Sequence, residues 1–67
     1  MALAKVIEIS SSSPNSFQDA IETGIKRAGK TVENVQGVWI KEQKIDVENN
    51  QPVQYRVDMK VTFILKE

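Results

Sequence analysis

From Val53 to the end of the chain the side chains alternate in character. Val53, Tyr55, Val57, Met59, Val61, Phe63 and Leu65 interleave with Gln54, Arg56, Asp58, Lys60, Thr62, Ile64 and Lys66. Seven apolar residues at period two predict a long strand with one buried face. A second period-two stretch runs from about Val35 to Glu48 and breaks at Asn49-Asn50-Gln51-Pro52, a turn signal. Two such runs across a short polar turn predict an antiparallel hairpin. Its arms are more than ten residues each, roughly twice the usual strand length of 5–6. Near the N-terminus, about Ala4 to Ser10 reads as another strand, with β-branched Val6, Ile7 and Ile9.

Between these strands the period changes. Phe17, Ala20, Ile21, Gly24, Ile25 and Ala28 recur at spacings of three and four, which predicts one apolar stripe on a helix from about Pro14 to Lys30. Ser13 is the expected N-cap, with Pro14 in the first helical position, and Gly29 is the expected stop. Asp19 and Glu22 suit the positive end of the helix dipole; Lys26, Arg27 and Lys30 suit the negative end. Glu22 and Lys26 stand four apart, a favourable spacing for an ion pair. Gly24 lowers helix propensity by about 1 kcal/mol relative to alanine. Its expected use is close packing of the helix on a sheet. The reading is a single α+β domain over residues 1–67, of order β-α-β-β, with one helix on a three-stranded antiparallel sheet.

Length and composition narrow the function. With 67 residues, no cysteine and no histidine, the chain has no disulfide framework and no Cys/His metal or nucleophile set. Nine basic residues balance nine acidic ones, so no net charge draws the chain to nucleic acid or an anionic membrane. No apolar run approaches the roughly 20 residues that span a bilayer, and no signal peptide is read at the N-terminus. A cytoplasmic location is expected. A domain of about 60 residues buries only about 60% of its unfolded surface and generally needs a staple. With disulfides excluded, self-association is the expected one. Val38 and Ile40 point to one side of the second strand, and Gly37 and Trp39 to the other, which also favours burial on both faces.

Candidate chemistry centres on Trp39, the single tryptophan. An indole in a strand either fills a contact or offers a flat stacking platform. Gly37, Trp39, Lys41 and Gln43 are expected on one face, with open space beside the ring at Gly37. Gln43 brings both donors and acceptors, and Gln54 and Arg56 approach from the neighbouring strand. Glu42, Asp46, Glu48 and Asp58 alternate with Lys41, Lys44, Arg56 and Lys60. This reads as an ion-paired face, or alternatively as oxygen ligands for a cation gathered from several subunits, since Ca²⁺ takes 6–8 oxygens. No phosphate loop and no catalytic constellation is present, so an enzyme is not expected.

Taken in order, Lys5-Val6-Ile7-Glu8-Ile9, the serine run, Ser13-Pro14-Asn15-Ser16-Phe17, Asp19-Ala20-Ile21, Ala28 and Thr31-Val32-Glu33-Asn34-Val35 resemble the dodecins over nearly the whole chain. Glu42-Gln43, Tyr55-Arg56-Val57 and Val61-Thr62-Phe63-Ile64-Leu65 complete the likeness. The resemblance implies a long bent sheet wrapping one helix, and twelve subunits closing into a hollow shell. It implies non-enzymatic storage of a flavin (FMN or riboflavin), stacked on a tryptophan of the second strand. Aligned on Glu42-Gln43, the family's tryptophan position falls at Gly37, with Trp39 two residues later on the same face, and its flavin-binding glutamine falls at Arg56. Lys44 falls where some members hold the FMN phosphate. The flavin-site expectation is therefore Trp39, Gly37, Arg56, Gln43, Lys44 and Gln54. The alternative is a shell of the same kind that binds calcium, magnesium or another small ligand on its symmetry axes and no flavin.

Overall fold

The computed structural model describes residues 3–65. In chain order the elements are β1 (Leu3–Ser13), α1 (Phe17–Thr31), β2 (Val35–Glu48) and β3 (Gln51–Leu65). They form one antiparallel sheet of order β1-β3-β2, so the most regularly alternating strand lies in the middle. Its inward residues Val57, Met59, Val61 and Phe63 are all buried. The helix lies over them on its small residues Ala20, Gly24 and Ala28, flanked by Phe17 and Ile21 against the core. Phe17 also meets Tyr55 edge to face, with ring centroids 5.2 Å apart.

Gly24 sets how closely the helix approaches. A Cβ placed there would stand 2.5 Å from Met59 Cε and 3.1 Å from Ser11 Cβ. The close packing expected of this glycine is what the structure contains.

The serine run differs from its expected role. β1 does not end at Ser10 but continues to Ser13, pairing Ser10 with Asp58, Ser11 with Val57, Ser12 with Arg56 and Ser13 with Tyr55. Ser10 Oγ donates to Asp58 Oδ1 at 2.9 Å. The N-cap is Ser16, not Ser13: its backbone is extended, and its Oγ accepts the Asp19 N–H at 3.0 Å. Ser13 is buried, accepts the Asn15 N–H at 3.0 Å and donates to Asp19 Oδ2 at 2.6 Å. Two serines three apart divide the work: Ser13 fixes the turn around Pro14, and Ser16 starts the helix. Asp19, in the first turn, is held by both. At the other end Gly29 is not the stop. The helix runs on to Thr31, whose Oγ1 donates to the Ala28 carbonyl at 3.1 Å, and the Val32 N–H donates to the same oxygen at 2.9 Å.

The hairpin turn is tighter than the four-residue signal implied. Asn49 and Asn50 alone make it, at φ 52° and 62°, while Gln51 and Pro52 already belong to β3. Two successive left-handed residues match the right-handed twist of the arms, and asparagine tolerates that conformation better than most residues. At about 3.3 Å per residue β3 spans roughly 50 Å, whereas the 15-residue helix spans only about 22 Å. The chain is accordingly 52 Å long and 13 Å thick. Ile40 and Ile45 are exposed on the helix-side face of the hairpin, and Val53, unpaired at a register shift, is exposed as well.

Candidate functional site

Which side chains meet depends on the register between β2 and β3, because cross-strand partners share a face. Trp39 pairs with Lys60, and Gly37 with Thr62; Val38 and Ile40 pair with the buried Val61 and Met59. Trp39 and Gly37 thus occupy the outer face, away from the helix, as expected. The indole is 74% exposed. No atom outside the neighbouring residues lies within 4 Å of where a Gly37 side chain would begin. Across β3, Val6 of β1 pairs with Thr62. Val6, Trp39, Lys60 and Thr62 line a groove of about 360 Å³. Val6 and the bare indole flank it from the two outer strands, and Lys60 and Thr62 of the central strand form its floor.

A shift in pairing between Ile40 and Glu42 corrects the expected arrangement further along β2. Lys41 is the extra residue, so Glu42 pairs with Asp58, Gln43 with Val57 and Lys44 with Arg56. A bulge of one residue inverts the faces beyond it. Gln43 therefore lies opposite a buried residue, on the helix-side face, and not beside Trp39. Lys41 turns to Glu8 on β1, with Nζ 3.3 Å from Oε1.

Lys44, Arg56 and Gln54 do share the outer face with Trp39 but not its neighbourhood. Arg56 is four residues along β3 from Lys60, roughly 13 Å. Its Nη2 is 2.9 Å from Asp46 Oδ2, and Lys44 Nζ is 3.8 Å from Asp46 Oδ1. Gln54 pairs across the strands with Asp46. Within one chain, the expected site residues form two clusters: Gly37 and Trp39 with the groove, and Lys44, Gln54 and Arg56 around Asp46. Val6, Lys60 and Thr62 were missed by sequence reasoning. The outer-face alternation of β3 contained the signal for Lys60 and Thr62, while Val6 required the β1–β3 register. The acid–base alternation on the hairpin yields ion pairs at Asp46, and among the described residues no three acidic side chains converge as a metal would require.

Comparison with known proteins places this geometry. The dodecin family profile matches residues 3–66. The chain belongs to the dodecin family. A dodecin from Streptomyces davaonensis superposes with a TM-score of 0.93 at 32% identity, covering 98% of this chain and 97% of that one. A variant of the Thermus thermophilus dodecin superposes at 0.94 with 25% identity, each chain covered in full at 100%. The calcium dodecin of Mycobacterium tuberculosis is 29% identical over 66 residues, spanning 98% of this chain and 93% of that protein. The dodecin fold of one helix on a three-stranded antiparallel sheet is thus present here, and Trp39 of this chain lies on the outer face of β2.

Proposed function

We propose that this dodecin is a non-enzymatic flavin-binding shell, twelve copies closing around a hollow interior and holding FMN or riboflavin against Trp39. The supporting observation is the bare indole. A tryptophan 74% exposed on a strand is costly to leave in water, yet its neighbour Gly37 keeps space open beside it. Intrachain packing does not use this surface. A flat ring fits it on one side, and a second subunit supplies the opposite wall in a symmetric pair. The groove's mixed lining also suits a flavin, whose dimethylbenzene end is apolar and whose pyrimidine end carries carbonyl oxygens: Val6 and the indole flank an ammonium and a hydroxyl. Lys44 and Arg56 come close to such a ligand only from another copy, because within the chain they stand more than a dozen ångströms along the strand.

The M. tuberculosis relative is named for calcium, which gives cation binding the place of a second reading. Glu42 faces Asp58 across the strands, but two carboxylates fall short of the 6–8 oxygens that Ca²⁺ takes. A cation site would need carboxylates from several copies.

Riboflavin fluorescence tests the first reading. Stacking on an indole quenches it, so adding wild-type protein should extinguish most of the emission at micromolar concentration. Trp39→Ala should abolish the quenching and retain the assembled mass. Undiminished emission with excess wild-type protein refutes flavin storage. Loss of assembly in Trp39→Ala would instead make the indole a subunit contact.

A further inference from the structure

The groove beside Trp39 contains one charged group without a partner among the described residues. Lys60 is half-buried, directly opposite Trp39 on one side and Glu8 on the other. Its natural partner is taken: Glu8 pairs with Lys41, the residue extruded by the bulge. Asp58, the next outward residue of β3, accepts a hydrogen bond from Ser10 and has Glu42 opposite it. Among the described residues no carboxylate lies within ion-pair distance of the Lys60 ammonium. Next to it on the same face is Thr62, half-buried, with Gly37 opposite, so no side chain from β2 covers the hydroxyl.

We infer that Lys60 and Thr62 are the specificity-determining residues of this site, selecting flat aromatic ligands with a carbonyl-bearing or anionic edge. This rests on the reading of Trp39 as a stacking platform. The indole supplies attraction that any flat ring shares, because every aromatic ring has a π-face. Selection requires directional groups, and besides the indole N–H the groove has two. An ammonium donates three hydrogen bonds and accepts none, and a hydroxyl both donates and accepts. A ligand edge of carbonyl oxygens satisfies the ammonium. An edge of hydrocarbon leaves it half-buried and unpaired, which is unfavourable. The bulge at Lys41 contributes to the arrangement: by placing that residue where it neutralises Glu8, it leaves Lys60 without its cross-strand acid.

The experiment compares riboflavin, which has the carbonyl edge, with phenazine, a flat tricycle of similar width without carbonyl oxygens. Both are titrated into the assembled protein while Trp39 emission is recorded. Wild type should prefer riboflavin. Lys60→Met should weaken riboflavin about tenfold and leave phenazine within about twofold, so that the preference collapses. Thr62→Val, which keeps the shape and removes the hydroxyl, should weaken riboflavin a few-fold in the same selective way. Lys26→Met, on the exposed side of the helix, serves as the control for loss of a charge. Equal weakening of both ligands, or unchanged riboflavin affinity in both groove variants, overturns the inference while leaving flavin binding intact. Failure of wild type to bind riboflavin overturns the flavin reading and this inference with it.

Discussion

At the scale of single residues, two positions carry most of the consequence, and both concern space next to a glycine. Gly24 is filled by its neighbours, Met59 Cε and Ser11 Cβ. Gly24→Ala gains about 1 kcal/mol of helix propensity but overpacks a buried contact at a cost of about 1–3 kcal/mol. The expected net loss is about 1 kcal/mol by thermal or denaturant unfolding, and Met59→Val added to Gly24→Ala should recover part of it. Gly37 is the converse, open on its outer side, so its value lies in what enters from outside the chain. The sequence made both glycines visible as exceptions to their elements. It made Trp39 visible as well, but not the groove around it. Val6, Lys60 and Thr62 meet there only because β1 and β2 both pair with β3, a non-local fact that alternation along one strand does not contain.

At the scale of elements, the hairpin strands and the helix follow from period, β1 from its β-branched residues, and the departures come where period is locally overruled. The serine run is a good helix beginning, yet Ser10 to Ser13 remain in the sheet because β3 is long enough to pair with them. The helix therefore starts at the next serine in phase. The bulge at Lys41 was also present in the pattern: Ile40 and Ile45 are five apart, an odd spacing that no unbroken strand places on one face. Reading β2 as continuous put Gln43 beside Trp39; counting the extra residue puts it opposite Val57. The turn offers a direct check. Asn49 and Asn50 both hold left-handed backbone. Asn50→Gly should stabilise the hairpin by about 0.5 kcal/mol, and Asn50→Val should destabilise it by about 1–2 kcal/mol, read as shifts in the unfolding midpoint.

At the scale of the whole molecule, one short helix serves a sheet more than twice its length. The surplus is apolar on both sides: Ile40 and Ile45 on the helix-side face, Val6 and Trp39 on the outer one. Neither surplus is explained by the single chain. The helix-side surplus fits contacts between copies, since the buried core of an interface between identical subunits is more apolar than the remaining surface. Ile45→Asp should break the assembly into smaller species while leaving the helix signal of each chain intact. The outer surplus is where the ligand is placed in this account. Binding therefore depends on assembly but not the reverse: Ile45→Asp should lose both, and Trp39→Ala only the flavin. Size-exclusion chromatography of wild-type protein mixed with riboflavin, with mass by light scattering and flavin absorbance followed together, tests both at once. The account predicts a single peak of about twelve chains carrying the flavin absorbance. A stable single-chain peak, or flavin eluting apart from an otherwise intact assembly, would contradict it.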